Sequence, residues 1–144
     1  MVASILSNSP VYSHLLSDIK LSSANSAGDV ILHLKLAPHH LNSHKTLHGA
    51  VGATIVDFVG GPVIAAVASS RGTDVMEAKR GVSTDMSIQY LNAAKEGETL
   101  RIVARSKKAG RSLAWVGVQI WSLPADGQGK ERLCVEGSHT KFVG

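Results

Sequence analysis

The sequence contains one cysteine, few aromatic residues and few charges. Cys134 is the only cysteine among 144 residues, which excludes an intrachain disulfide framework and a four-cysteine zinc site and suits a reducing compartment. It lies between Leu133 and Val135, so we expect a small core residue and not a nucleophile. Aromatic residues make up 4% of the chain and hydrophobic residues 44%. The core must therefore be built from aliphatic and small side chains.

The first 20 residues also lack targeting features. They have no basic start followed by a long apolar run, and they contain one lysine and no arginine, which argues against a secretory signal and a mitochondrial leader. The longest apolar stretch, residues 50–69, is interrupted by Asp57 and by Gly60-Gly61-Pro62, so we expect no membrane span. The prediction is a cytoplasmic protein, with an association with mitochondria left open.

Positive charge is in small excess. The 15 lysines and arginines exceed the 11 acidic residues and give a net charge of +4, which suits a small anionic ligand. No helix-turn-helix or aromatic nucleic-acid motif accompanies this charge, so nucleic acid is not an expected partner. The length is that of one domain. We assign residues 1–144 to a single domain with a helical N-terminal segment over residues 1–20.

The spacing of apolar residues predicts an α+β fold. A short capped helix is expected from Pro10, and alternation over residues 30–36 predicts a strand. Between residues 47 and 70 apolar residues recur every three or four positions, which predicts a long helix with a wide apolar face, and Pro62 within it predicts a kink or break. The simplest packing is one antiparallel sheet, its last four strands forming a meander, wrapped around this helix. Those four strands are expected at residues 82–92, 99–105, 113–121 and 132–142, with glycine-rich turns at 95–97, 107–110 and 126–129.

Gly49 and Asp57 are the first candidates for chemistry. Gly49 lies in the first turn of the predicted helix, where backbone N–H groups lack an intrahelical partner and favour negative charge; it is either an oxyanion site or a small residue required by packing. Asp57 follows Ile55 and Val56, where an unpaired carboxylate is costly to bury. It is either catalytic or a carboxylate at a wet interface, capped by a serine or arginine. Because eight residues of helix span about 12 Å, the two groups act on one carbonyl only if a site combines two subunits.

Three histidines, His40, His44 and His48, recur every four residues. On a helix they would form a zinc-binding face. Pro38 precedes them and Asn42 is followed by a serine, which predicts a loop instead. We therefore expect no metal and no other cofactor.

Ser83 and a basic cluster are the remaining candidates. Ser83 lies on a predicted strand without a Gly-x-Ser-x-Gly elbow, so we expect it to orient a carboxylate or a water and not to act as a nucleophile. Lys107, Lys108 and Arg111 flank a predicted turn. These three side chains are either solvated or available to phosphate groups.

Several short stretches follow one another in a characteristic order: Asn42, Leu47-His48-Gly49-Ala50, Thr54-Ile55-Val56-Asp57, Val82-Ser83-Thr84-Asp85-Met86, Tyr90, and Gly137-Ser138-His139-Thr140-Lys141. This ordered set resembles the hot-dog-fold acyl-CoA thioesterases. The resemblance covers residues 30–143 of the sequence and is closest to the PaaI-like group, in particular to the branch of thioesterase superfamily member 2 proteins.

The resemblance implies a hot-dog fold, in which an antiparallel sheet wraps around a long central helix. It also implies a dimer with two continuous sheets and a homotetramer built from two such dimers. Asn42 and Gly49 of one subunit, with His48 beside them, would hold the thioester carbonyl and the lytic water. Asp57 and Ser83 of the other subunit would supply the general base or nucleophile and its orienting hydroxyl. The positions that match the coenzyme A contacts of the family are Tyr90, Asn92, Lys95, Lys108, Gly110, Arg111, Ser112 and Leu113.

The implied activity is hydrolysis of a fatty or aryl acyl-CoA thioester to the free acid and coenzyme A, in lipid metabolism. A thioester suits an oxyanion site and an activated water without acid assistance, because a thiolate leaves readily. A hot-dog hydratase or dehydratase is a second hypothesis, but it would need a histidine beside a carboxylate, and His48 and Asp57 lie on opposite helical faces. A non-catalytic acyl-CoA binder is a third. Gly60-Gly61-Pro62 departs from the family pattern in the helix that lines the acyl tunnel, which leaves the acyl-chain length open.

Overall fold

Residues 1–144 form one six-stranded antiparallel sheet wrapped around a single long helix in a computed structural model. This confirms the α+β fold expected from the sequence. The helices are α1 (Val2–Ser7), α2 (Pro10–Leu15) and α3 (Gly49–Ser70), with a short 3-10 helix at Pro38–His40. The strands are β1 (Lys20–Ala24), β2 (Asp29–Lys35), β3 (Val82–Tyr90), β4 (Thr99–Ala109), β5 (Leu113–Leu123) and β6 (Arg132–Phe142).

Helix α3 forms the centre of the core. Ile55, Val56 and Val59 have no exposed surface, and they pack with the inward-facing aliphatic residues of the sheet. By length and hydropathy α3 could cross a membrane, with a mean hydropathy of 1.8, contrary to the expectation from its interrupting residues. In the fold, 72% of that stretch is buried inside the protein, so the sheet already covers most of its apolar surface.

Pro62 does not break α3, because the helix runs without interruption from Gly49 to Ser70. The expected break is therefore wrong. An interior proline costs about 3 kcal/mol, and burial of the surrounding residues offsets that cost. The two preceding glycines allow close packing on both sides: a Cβ on Gly60 would lie 2.9 Å from Lys141 Cδ, and one on Gly61 would lie 3.2 Å from Ile5 Cδ1.

The strand order is β1-β2-β4-β5-β6-β3, so only β4, β5 and β6 form a meander. The expected four-strand meander is wrong for β3, which pairs with β6 at the far edge of the sheet. Helix α3 packs across the inner face of the sheet and carries the chain from β2 to that edge. The place beside β2 is then filled by β4.

The turn expected at residues 107–110 is also misplaced. Strand β4 continues to Ala109 through a register shift between Ser106 and Lys108, so Lys107 and Lys108 are strand residues. The connection to β5 comprises only residues 110–112. Both lysines therefore have positions fixed by strand pairing.

Strand β3 is an unpaired edge on its outer side. Its residues are exposed except for the half-buried Ile88. Val82, Met86 and Tyr90 are 66%, 41% and 56% exposed. A nine-residue edge with exposed apolar side chains is available to pair with another strand.

Candidate active site at Asp57

Asp57 lies on α3 with its carboxylate held by two hydroxyl groups. Ser83 Oγ donates a hydrogen bond to Oδ1 at 2.9 Å, and Tyr12 Oη donates one to Oδ2. The Asp57 side chain remains 30% exposed. The structure therefore brings the predicted residues Asp57 and Ser83 together within one chain, at a point that solvent can reach.

A β-bulge turns Ser83 toward the helix. Ser83 pairs with Lys141 and Asp85 pairs with Thr140, so Thr84 is an extra residue in β3. Paired residues in an antiparallel sheet point to the same face, and Lys141 is buried on the helix side. The bulge thus aims the Ser83 hydroxyl at Asp57, as bulges near functional sites commonly do.

His139 lies behind Ser83. Its Nε2 is 2.9 Å from Ser83 Oγ and 3.5 Å from Asp57 Oδ1, and the side chain has no exposed surface. Because the serine hydroxyl gives its only hydrogen to Asp57, we assign the proton of His139 to Nε2 as the donor to Oγ. The Val56 carbonyl lies near the ring, but Nδ1 has no partner in hydrogen-bond geometry. Burial, reinforced by the charge of Lys141, lowers the pKa of His139 against the opposing effect of Asp57, which favours the neutral imidazole.

Lys141 completes the cluster as a buried cation. It is 7% exposed, and no ion pair within 4.0 Å includes it. Burial lowers the pKa of Lys141, and the negative charge of Asp57 opposes that shift. The absence of a side chain at Gly60 makes room for Lys141 and His139. A side chain at position 60 would therefore separate the helix from β6 at these two residues.

Gly49 begins α3 at the other end of the site region. As the first helical residue it has no intrahelical acceptor, and its N–H makes no other hydrogen bond. Tyr90 Oη donates to the Gly49 carbonyl at 2.8 Å. A cavity of about 390 Å³ opens beside them and is mostly apolar; it is lined by Leu47, Gly49, Tyr90, Leu91, Asn92, Ala93, Ala94 and Val135. The free N–H is suited to a developing oxyanion.

Asn42 and His48 both organise the backbone leading to Gly49. Asn42 Oδ1 accepts from the N–H groups of His44 and Thr46, and its Nδ2 donates to Thr46 Oγ1. One of its two amide hydrogens is left for a ligand. His48 caps α3, since its Nδ1 accepts from Ala50 N–H at 3.0 Å. His48, which the resemblance placed in the catalytic set, therefore has a structural role as the N-cap of α3.

The two halves of the predicted site lie apart within one chain. Eight helical residues separate Gly49 from Asp57 by about 12 Å. On β3, Tyr90 beside Gly49 and Ser83 beside Asp57 are seven residues apart, about 23 Å along a strand. The structure therefore does not bring Gly49 or Asn42 to Asp57 in a single subunit.

The predicted coenzyme A residues divide in the same way. Tyr90, Asn92 and Lys95 lie at the Gly49 end of the sheet, whereas Leu113 pairs with Phe142, which also pairs with the start of β3. The segment from Lys108 to Leu113 is thus at the Ser83 end. A second cavity of about 430 Å³ opens there, and its cationic lining residues are Arg71, Lys79 and Arg111.

Sequence reasoning missed five residues of these two sites. Arg71 and Lys79 follow α3 in a region without periodic pattern, which gave no signal. Tyr12 was placed in the N-terminal helical segment without a partner. His139 and Lys141 were noted only as part of the closing motif, and their spacing was a signal that was not used: with Val135 and Gly137 they alternate along one face of β6, which would have indicated two polar residues on its inner face.

His40, the first residue of the histidine series, is buried beside α2. Its Nδ1 accepts from Ala37 N–H at 2.9 Å, so its Nε2 carries the proton that is donated to the Leu15 carbonyl at 2.8 Å. Burial lowers the pKa of His40 despite the opposing hydrogen bond to Leu15. No group of three or more His, Cys, Asp or Glu side chains lies close enough to hold a metal ion.

Known proteins share both the sequence pattern and the fold. The model of the Thioesterase superfamily matches residues 44–126. Human acyl-coenzyme A thioesterase 13 is 35% identical over 133 residues, which cover 92% of this chain and 85% of that protein. Zebrafish thioesterase superfamily member 2 superposes with a TM-score of 0.79 at 35% identity, over 96% of this chain and 91% of that one. A hypothetical thioesterase protein of Streptococcus pneumoniae, solved with coenzyme A, has the same TM-score of 0.79 at 21% identity, over 100% and 97% of the two chains.

These matches agree with the resemblance carried by the motifs at Asn42, Gly49, Asp57 and Ser83. The family model covers more than half of the chain, and both the human and the zebrafish relatives align with nearly all of it. The six-stranded sheet around α3 is the hot-dog fold that the resemblance implied. The chain belongs to the thioesterase superfamily.

Proposed function

We propose that this protein hydrolyses acyl-CoA thioesters, with a fatty or aryl acyl group, to the free acid and coenzyme A. The observation that carries the proposal is the Asp57 carboxylate, partly exposed and oriented by the hydroxyl groups of Ser83 and Tyr12. A carboxylate held in this way can accept a proton from a water that attacks a carbonyl carbon. The relative named acyl-coenzyme A thioesterase 13 supports the same activity.

The proposed mechanism uses the two halves of the site together. Asp57 removes a proton from water, which attacks the thioester carbonyl, and Ser83 fixes the orientation of the carboxylate. The unpaired N–H of Gly49, with the free amide hydrogen of Asn42, stabilises the oxyanion. The tetrahedral intermediate then expels the coenzyme A thiolate, and the proton held by Asp57 passes to this thiolate or to solvent. Asp57 as a nucleophile is the alternative: its carboxylate would displace the coenzyme A thiolate and form a mixed anhydride with the acyl group. Incorporation of ¹⁸O into the Asp57 side chain during single turnover in H₂¹⁸O, by attack of water on its Cγ, would identify this route.

We propose that the β3 edges of two subunits pair and bring these halves together. In an antiparallel pair centred on Met86, Tyr90 of one subunit lies opposite Val82 of the other. The Gly49 end of each chain then meets the Ser83 and Asp57 end of its partner, which gives two equivalent sites per dimer. The exposed apolar side chains of β3 support this edge as the interface. Two such dimers would form the homotetramer expected for the family.

The coenzyme A moiety is proposed to lie across the same interface. The cations Lys108 and Arg111 are available to its phosphate groups, and the cavity beside Arg111 adds Arg71 and Lys79. Arginine forks and lysine ammonium groups both bind phosphate. Tyr90 and Asn92 line the cavity next to Gly49, at the end that the partner subunit would contribute to the same site.

The His139–Asp57 contact favours a hydratase or dehydratase as the second candidate function, because such an enzyme needs a histidine beside a carboxylate. His48, the histidine considered from the sequence, is not the one that meets Asp57. His139 is 3.5 Å from Asp57 but has no exposed surface, and its Nε2 is bonded to Ser83. A group so enclosed cannot exchange a proton directly with a substrate, so hydrolysis remains the better supported function.

The test is turnover of an acyl-CoA panel, measured by release of free thiol, with enoyl-CoA hydration followed in parallel. We expect thiol release by the native protein and a loss of about 100- to 10,000-fold in kcat for Asp57→Asn, with fold and oligomer retained. Ser83→Ala is expected to lose less, since the serine takes no proton. Asp126→Asn, in the exposed β5–β6 turn, is the matched control. Near-normal thiol release by Asp57→Asn would reject the mechanism, and binding without turnover would identify a non-catalytic acyl-CoA binder.

A further inference from the structure

Helix α2 reaches the hydrolytic site through one hydroxyl group. Tyr12 donates to Oδ2 of Asp57, the oxygen that Ser83 does not occupy. We propose that Tyr12 is a positioning residue, which holds the Asp57 carboxylate in the orientation that activates water and makes the N-terminal segment part of the active site. This inference rests on the proposed function of the Asp57 site.

The segment that carries Tyr12 is anchored on both sides of the tyrosine. Ser9 caps α2 through its side chain. Leu16 is completely buried in the core and Ile5 of α1 is 5% exposed. His40 donates to the Leu15 carbonyl at 2.8 Å and so fixes the last turn of α2. The helix that carries the phenol is therefore held in place by core packing and by a partly buried hydrogen bond.

The ring itself is fixed by the residue next to Asp57. Tyr12 and Phe58 form an edge-to-face pair, with ring centroids 5.3 Å apart and planes at 80°. Phe58 is 1% exposed, so its ring is immobilised in the core. Such an aromatic contact restricts the tyrosine to the rotamer that points its hydroxyl at the carboxylate.

Two donors on two different oxygens define the plane of the carboxylate. Each carboxylate oxygen accepts more than one hydrogen bond, so lone pairs remain for a water after both hydroxyl groups are bound. With Oδ2 unpaired the carboxylate could rotate about its Cβ–Cγ bond, because Ser83 alone restrains only one oxygen. Orientation of a general base contributes directly to the rate of proton transfer.

The direction of the Tyr12 pKa shift supports this residue as a hydrogen-bond donor to Asp57. Burial, together with the hydrogen bond to Asp57 and its negative charge, raises the pKa of Tyr12, so the phenol keeps its proton and remains a hydrogen-bond donor. The other titratable groups that face this cluster are His139 and Lys141 on β6 and Asp85 on β3. None of them donates a hydrogen bond to Oδ2. Tyr12 is thus the one group that can hold that oxygen.

The kinetic test compares the native protein with Tyr12→Phe, which retains the ring and its contact with Phe58. We expect kcat to fall about tenfold with KM nearly unchanged. Ser13→Ala is the matched control, because it removes the neighbouring hydroxyl of α2, which bonds only to the Pro10 carbonyl.

A second measurement does not depend on activity. The chain has only two tyrosines, so labelling with 3-fluorotyrosine gives two ¹⁹F resonances, and Tyr12→Phe assigns them. Asp57→Asn should shift the Tyr12 resonance, whereas the control Asp126→Asn, in the exposed β5–β6 turn, should leave it unchanged. A Tyr12 resonance that does not respond would overturn the contact, even if Tyr12→Phe were poorly folded.

The outcomes separate the inference from the proposed function. A native protein that hydrolyses acyl-CoA, with a Tyr12→Phe variant equally active, overturns the inference and leaves the proposed function intact. A Tyr12→Phe variant that is more active than the native protein also overturns the inference and identifies Tyr12 as a residue that obstructs the site. If the native protein hydrolyses none of the panel, the proposed function fails and the inference fails with it.

Discussion

The division of the site between two ends of the chain predicts complementation between two inactive variants. Asp57→Asn removes the proposed base. At Gly49 a Cβ would lie 3.5 Å from the Tyr90 ring, so the further branches of Gly49→Leu would displace the ring or fill the space before the free N–H. Each variant alone should be inactive. A dimer that contains one copy of each carries both substitutions in one site and neither in the other.

The expected recovery follows from counting sites. Equal amounts of the two variants, mixed at random, give mixed dimers in half of the molecules, and each mixed dimer has one intact site of two, so total activity is about a quarter of native. Purification through two different affinity tags, under conditions in which any tetramer is dissociated to dimers, isolates the mixed dimer, which should reach about half of native activity per dimer. Two differently tagged copies of Asp57→Asn, purified in the same way, are the control and should show no recovery.

A mixed dimer verified by mass, yet inactive, would refute the cross-subunit site. Gly49 and Asp57 would then have to act separately, and at least one of them would not act on the thioester carbonyl. A higher recovery than half would also contradict the reasoning, because it requires both sites of the mixed dimer to work. The experiment therefore tests the assignment of both residues at once.

Two further predictions concern substrate binding and stability. Replacing Lys108 and Arg111 by alanine should raise KM for acyl-CoA more than it lowers kcat, because phosphate contacts bind ground state and transition state alike; an unchanged KM at low salt would contradict their placement. The lowered pKa values of His40 and His139 mean that the unfolded chain binds more protons at these two positions, so their contribution to stability should be fully present above about pH 6.5 and be lost progressively below it. Urea unfolding at several pH values checks this, and a flat profile through the acidic range would count against buried neutral histidines.

Local sequence patterns predicted the helices and strands in which apolar residues recur with a single period. The alternation at residues 30–36 and the apolar spacing from residue 47 to 70 correspond to β2 and α3 within two residues. Strand β6 was predicted at its observed bounds, Arg132–Phe142. Such patterns arise because one face of each helix or strand is buried, and the same face is buried in the folded structure.

Strand order and strand length were harder to predict from the sequence. The alternation of residues shows that β3 has an inner face, but it does not indicate which strand β3 pairs with. The position of β3 beside β6 therefore could not be predicted from the sequence. Lys107 and Lys108 resemble turn residues because this end of β4 is exposed to solvent. The bulge after Ser106 also interrupts the alternation that would have indicated a strand.

The candidate site was predicted in part. Asp57 and Ser83 carry their own signal, a carboxylate in an apolar run and a hydroxyl on a strand, and the structure places them in contact. Tyr12 comes from a segment 45 positions away from Asp57, and no local pattern connects the two. His139 requires knowledge of which face of β6 meets α3, which is a tertiary fact.

The position of β3 at the edge also determines when the site can form during synthesis. Ser83 has no sheet neighbour until β6 exists, because β3 pairs with β6 alone. At ordinary translation rates the 41 residues between Tyr90 and Arg132 take about 2–8 s to be made. Until then α3 and β3 lack the strand that covers them, and Asp57 lacks His139 behind its serine. The Asp57 cluster is therefore among the last parts of the molecule to assemble, and a nascent chain has an uncovered strand edge that is prone to pair with its neighbours on the same messenger RNA.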